Sequence, residues 1–206
     1  MKVYEVRGNY KKFAGLLYKD SHVQEQFYKR TPGESLLSEW ENIEVKKGEG
    51  NGGLTTSRHP VGNFADLESY RNPTVDDVAR TALEPHIGSY GEFLPIQYNN
   101  RTRWLFNCTH LLSALDIDNS VITRFADGRI MHLQGPLYFK SEFLKNEWIF
   151  MPAERPAEIF VTDKFVKVVE EHKLTGFDFH EIWDSETPLP KERQIDPALV
   201  SRRDLN

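Results

Sequence analysis

"IFVTDKFVKVVEEHKLTGFDFHEIW", residues 159–183, reads as a strand, a helix and a second strand with no slack between them. Phe165, Val168, Val169 and His172 fall at i, i+3, i+4 and i+7, the spacing that lines one face of a helix. Thr162 stands where a helix N-cap belongs, and Gly176 after Leu174 can take the left-handed conformation that stops a helix. Phe177 to Trp183 then alternates, with Phe177 and Phe179 on one side and Asp178 and His180 on the other.

The same plan occurs 86 residues earlier. Val75, Asp77, Glu84, His86, Phe93 and Ile96 fall opposite Val161, Asp163, Glu170, His172, Phe179 and Ile182 without a gap. Ala79, Ala82, Leu83 and His86 fill the helical face, Asp76 is the cap, Pro85 cuts the helix short and Gly88 stops it, with Glu92 to Gln97 extended. His86 and His172 continue apolar faces and read as partly buried core residues. The expectation is a duplicated strand-helix-strand unit that acts as scaffold.

Working outward, Lys2 to Val6 reads as an edge or first strand, and Thr102 to Thr109 as a strand with Trp104, Phe106 and Cys108 on one face. Thr109 can cap a short helix running through Leu115, while Val121 to Phe125 and Ile130 to Leu133 form a hairpin across Asp127-Gly128. Strands and helices do not alternate with the regularity of a doubly wound sheet, so the fold class is α+β, a mixed or antiparallel sheet with packed helices. Residues 1–65 form an N-terminal strand and variable region, 66–186 the core with both units, and 187–206 a loose or wrapping tail.

At 206 residues, 39% hydrophobic and 12% aromatic, the chain can bury a sizeable core. The single cysteine, Cys108, allows no internal disulfide, and it reads as a small buried thiol. No apolar run approaches the roughly 20 residues of a membrane span, and the opening MKVYEVRGNY lacks the apolar stretch of a signal peptide. A cytoplasmic, soluble protein with no membrane association is expected.

The net charge of −5 is unevenly placed. Six acids and two bases lie between Asp66 and Asn100, and eleven acids and five bases between Glu142 and Glu186, so the two regions carrying the repeated unit are acidic and the remainder is basic. An acidic face repels nucleic acid and suits a basic protein partner.

The ligand motifs fail on their surroundings. "GEGNGG", Gly48 to Gly53, has the spacing of a dinucleotide turn but is followed by Pro60 and Gly62 rather than a helix, and reads as a surface loop. "DIDNSVITRFAD" sets Asp116, Asp118, Ser120 and Asp127 at calcium-loop positions, but Val121 stands where the loop needs glycine, so a cap and turn is expected. The seven histidines include no pair at metal-ligand spacing with a third ligand nearby. No metal, nucleotide or other cofactor and no catalytic residue is expected.

"RWLFNCTHLLSALDIDNSVI" and "EIFVTDKFVKVVEEHKLTGFDFHEIW" resemble the eleventh numbered family of immunity proteins from bacterial polymorphic toxin systems. The residues that carry the resemblance are Asn107, Ala114, Leu115, Asp116, Phe160 to Asp163, Phe165 and Leu174 to Phe177. They cover the C-terminal half; of residues 1–65 only the Lys2 to Val6 strand matches. The resemblance implies an antidote, not an enzyme: a protein that binds the effector domain of a cognate toxin, on the finer expectation a nuclease, and blocks it. An adaptor or chaperone for a secreted effector is the alternative, and an enzyme assembled from distant segments a third. On the immunity reading, Glu170, Glu171, Asp178, Glu181 and Asp184 are expected to contact a basic toxin domain, with Trp183 as an aromatic anchor.

Overall fold

A computed structural model describes residues 1–28, 30–48, 58–133 and 135–186. The fold is α+β, as expected. Its first half is dominated by a closed barrel and its second by an open mixed sheet.

The barrel comprises β2 (Leu16–Tyr18), β3 (Ile43–Lys47), β4 (Phe64–Leu67), β5 (Ser69–Val75), β6 (Gly91–Tyr98) and β7 (Arg101–Cys108). They close in the order β2-β3-β6-β7-β5-β4. Inward positions are apolar by alternation: Leu16, Tyr18, Ile43, Val45, Ala65, Leu67, Leu94, Ile96 and Leu105 fill the interior. The β6–β7 hairpin turns at Asn99 and Asn100, both with positive φ (50° and 59°), a backbone that asparagine tolerates better than most residues.

The open sheet comprises β1 (Lys2–Gly8), β8 (Leu111–Leu112), β11 (Ile149–Pro152), β12 (Phe160–Thr162) and β13 (Phe177–Asp184), in the order β13-β1-β12-β11-β8. All neighbours are antiparallel except β11 and β8. β1 is therefore interior, not an edge. Both faces of this sheet are covered. On one, Val6, Ile149, Met151 and Val161 pack against Phe64, Val75 and Phe106 from the outside of the barrel and against both main helices. On the other, Val3, Phe150, Phe160 and Trp183 pack against Leu115, Leu137, Tyr138, Phe139 and Leu144.

The two main helices sit between barrel and sheet. α2 (Asp77–Ile87) buries Ala79, Ala82, Leu83 and Ile87, and α4 (Asp163–Glu171) buries Phe165, Val168 and Val169. Asp76 caps α2 by accepting from the Ala79 N–H at 3.0 Å. Thr162 occupies the cap position of α4 but donates its hydroxyl to Glu147 O at 2.9 Å instead. Pro85 does not end α2: although it removes the N–H that would bond the carbonyl four residues back, the helix continues to Ile87. α4 stops earlier, with Lys173 (φ 52°) and then Gly176 (φ 96°) reversing the chain. The shorter helix leaves His172 exposed, against expectation, whereas His86 is half-buried with its ring stacked on Trp148 at 4.4 Å.

The two strand-helix-strand segments adopt one arrangement. β5 and β6 both run antiparallel to β7, which lies between them, and β12 and β13 both run antiparallel to β1 in the same way. Split units of this kind occur in unrelated folds, so the shared plan does not establish a duplication.

The helix expected from Thr109 through Leu115 is absent. There the His110 and Leu112 carbonyls accept from Met151 and Ala153, so the backbone is committed to pairing with β11. β9 (Ile122–Arg124) and β10 (Ile130–Leu133) form the expected hairpin with Gly128 at φ 87°. The short helices α1 (Ser21–Tyr28) and α3 (Ser141–Leu144) complete the fold. Of GEGNGG, only Gly48 lies within the described residues; it is buried and donates its N–H to Gly15 O at 2.9 Å.

Candidate functional site

The expected partner-binding acids lie on α4 and on β13, the outermost strand of the open sheet. Glu170 and Glu171 are exposed on α4, with Lys167 reaching Glu171 at 3.7 Å. The register splits the three strand acids between two faces. Asp178 stands opposite Arg7 and His180 opposite Glu5, and within this patch Arg7 pairs with Glu5 at 2.6 Å and His180 with Asp178 at 3.2 Å. A bulge between Val3 and Tyr4 then shifts the ladder, setting Glu181 opposite Tyr4 and Asp184 opposite Lys2. Lys2 Nζ lies 2.7 Å from Glu181 and 3.5 Å from Asp184.

These contacts set the local electrostatics. The hydrogen bond to Glu181 outweighs desolvation and holds the Lys2 ammonium above its ordinary range. The Glu186 N–H, which donates to Asp184 at 3.0 Å, and then Lys2 hold the Asp184 carboxyl below the usual carboxylate range. Burial raises the Tyr4 phenol between them.

Trp183 is not on this surface. The bulge turns it to the opposite face, where it is 8% exposed and meets Phe139 edge to face at 5.7 Å. It is a core residue here, because Val3 opposite it is itself fully buried.

A third acidic segment escaped the sequence reading. Glu34, Glu39, Glu41 and Glu44 are all exposed along residues 31–45, which contain no lysine or arginine. Summing charge over the whole N-terminal region hides them behind Lys46, Lys47 and the earlier bases. The segment is pinned to the barrel: Trp40 donates to Pro95 O at 2.9 Å, and Asn107 donates to Glu34 O at 2.9 Å and to Glu92 at 3.0 Å. Glu92 also accepts from the Leu36 N–H at 2.9 Å and from the Ser35 hydroxyl. Burial pushes its carboxyl up, but these donors outweigh burial and leave it below the usual range.

The groups with chemical potential are occupied structurally. Cys108 is 3% exposed, and burial pushes its thiol up to about 12, far from a nucleophile's range. His110 lies 2.8 Å from Glu147 with Tyr90 edge-on to its ring at 5.0 Å. No group of three or more His, Cys, Asp or Glu that could hold a metal occurs among the described residues. Asp116 accepts from Asn119 and Ser120 exchanges hydrogen bonds with Tyr138, which makes the aspartate-rich stretch a turn. A cleft of about 130 Å³ opens between the 30–36 segment and β7, walled by Pro32, Leu36, Phe106, Met151 and Ile159.

No helix of the described residues is long and apolar enough to cross a membrane. No curated protein matches the chain. The model of the immunity protein family Imm11 matches residues 97–184, from the end of β6 through β13, a span that takes in Asn107, α4 and β13; over it the chain is similar to the family that its motifs resemble.

Proposed function

We propose that this protein is an immunity protein that binds the effector domain of a cognate bacterial toxin and neutralises it in the cytoplasm. The family match over residues 97–184 carries the reading. It acts by binding, and no residue is assigned a catalytic role.

The finer proposal concerns the partner. A nuclease effector must attract phosphates and is therefore basic around its active site, so an inhibitor carrying Glu170, Glu171, Asp178, Glu181 and Asp184 can occupy that site as a mimic of nucleic acid charge. Trp183 is left out of this surface because it is buried.

The test is co-expression with the toxin domain encoded beside this gene. Wild-type protein should restore growth, and association should slow steeply with added salt while dissociation changes little. Failure of the wild type to protect overturns the immunity reading. Protection with an association rate indifferent to salt, and unaffected by reversing three of the five acids, overturns the charge-mimic proposal alone.

A further inference from the structure

β13 is the outermost strand of its sheet. β1 lies on one side of it, and among the described residues no backbone group pairs with the other. The alternation of an antiparallel ladder identifies the groups left over. Asn9 donates its N–H to Gly176 O at 2.8 Å, which makes these two a hydrogen-bonded pair and fixes the phase. Counting along the register, Asp178 and His180 turn their amides toward β1, whereas Phe177, Phe179 and Glu181 turn theirs outward. The far side of β1 agrees: the amides of Gly8 and Lys2 point away from β13 and are taken by Asp66 at 2.6 Å and Asp163 at 3.3 Å.

Exposed edges in soluble proteins are ordinarily blunted by lysine, proline, shortness or a bulge. β13 runs for eight residues with neither lysine nor proline, and its bulge comes only after Tyr4 on its neighbour. Its own charged side chains are mainly acidic: Asp178 on one face, 47% exposed beside His180, and Glu181 on the other, 44% exposed, with Asp184 beyond; one lysine, Lys2 of β1, serves both Glu181 and Asp184. A second copy pairing about a twofold axis at Asp178 or at Glu181 would set acid directly against acid across the new ladder. A strand with lysine or arginine three residues apart, one on each face, would meet an acid on both faces.

We infer that the free edge of β13 accepts an extended, basic segment of the toxin effector domain as an additional strand, the toxin's main chain satisfying the outward amides of Phe177, Phe179 and Glu181. This deepens the immunity reading and rests on it. Main-chain pairing supplies the attachment and the flanking acids select its charge.

Three measurements on the full chain test the inference. In the free protein, amide hydrogen exchange should be at least roughly a hundredfold faster at Phe177, Phe179 and Glu181 than at Asp178 and His180. Equal protection at the two sets shows the edge already covered and overturns it. A synthetic valine-rich peptide of about ten residues with lysines three apart, so that both faces carry lysine, should slow the three outward amides, and its glutamate-for-lysine counterpart should not. No slowing with the lysine peptide, or equal slowing with both, overturns it. Glu181→Pro removes one outward N–H while sparing the ladder to β1, and Glu181→Thr removes only the charge. The proline variant should bind the lysine peptide at least about tenfold more weakly than the threonine variant. Equal binding reduces the edge to a charged rim and overturns the inference; should Glu181→Pro not fold, the wild-type exchange and peptide results decide. A concentration-dependent dimer that protects the outward amides assigns the edge to a second copy and overturns it also. These readouts need no toxin, so failure of the wild type to protect cells, which overturns the proposed function, is seen separately.

Discussion

β5-α2-β6 and β12-α4-β13 are built alike, with two parallel strands, a third strand running antiparallel between them and a helix crossing over. They differ in what lies beyond. β5 and β6 continue into β4 and β3, and the ring closes, so the first unit has no free edge. β13 has no further neighbour among the described residues. A local pattern thus settles how a segment packs and says nothing of whether its edge is open. That is decided by strands remote in sequence. Recognition through main-chain pairing is available to the second unit and denied to the first.

The comparison breaks most visibly in the layer shared by the two helices. Phe165→Ala should cost about 3 to 5 kcal/mol and Leu83→Ala about 2 to 5, read by denaturant unfolding. Costs below about 1 kcal/mol at both positions would mean that neither helix anchors its unit. Trp183→Ala belongs in the same range, about 3 to 5 kcal/mol, because the ring fills the layer behind the sheet; a large loss of toxin binding with unchanged stability would return it to the surface.

A sharper probe lies where the sheet meets the barrel. Asp66, on β4, is 1% exposed and accepts from the Gly8 N–H at 2.6 Å and the Tyr10 hydroxyl at 2.7 Å. Burial, opposed by these donors, raises its carboxyl from 3.8 to about 6. Since the folded state holds this proton more tightly, the contribution is fully present below about 4 and is lost as pH rises through about 6, a span worth roughly 3 kcal/mol. Relative to Asp66→Asn, the wild type should therefore lose stability between those values. A difference between the two that does not vary with pH would show that the carboxyl titrates normally. At the small end, Glu171→Gln on exposed α4 should change stability by no more than about 0.5 kcal/mol, checked in the same unfolding assay.

Much of this was legible in the sequence, and the failures share a cause. The helical faces around Leu83 and Phe165, the strands through Phe106 and Phe179 and the hairpin at Gly128 are set by spacing within a few residues. The barrel was not legible, because its closure depends on β3 pairing with β6 and β2 with β4 across about 50 residues of chain. The same applies to the stretch after Thr109, whose local signals favour a helix while its carbonyls are claimed by β11. Among the residues expected to contact a partner, the exposure of Glu170, Glu171 and Glu181 follows from their place in the pattern. The burial of Trp183 does not, since a single bulge opposite Tyr4 reverses the face it occupies.

The central position of β1 has a consequence for the order of assembly. Its two neighbours begin at Phe160 and Phe177, more than 150 residues after Lys2, whereas every barrel strand lies between Leu16 and Cys108. During synthesis the barrel's strands are all present while β1 still waits, its amides without the carbonyls they will meet. The open sheet, and with it the acidic edge, can be completed only once the strands beginning at Phe160 and Phe177 have been made. A chain interrupted before Phe177 would hold a complete set of barrel strands and no strand to offer at that edge.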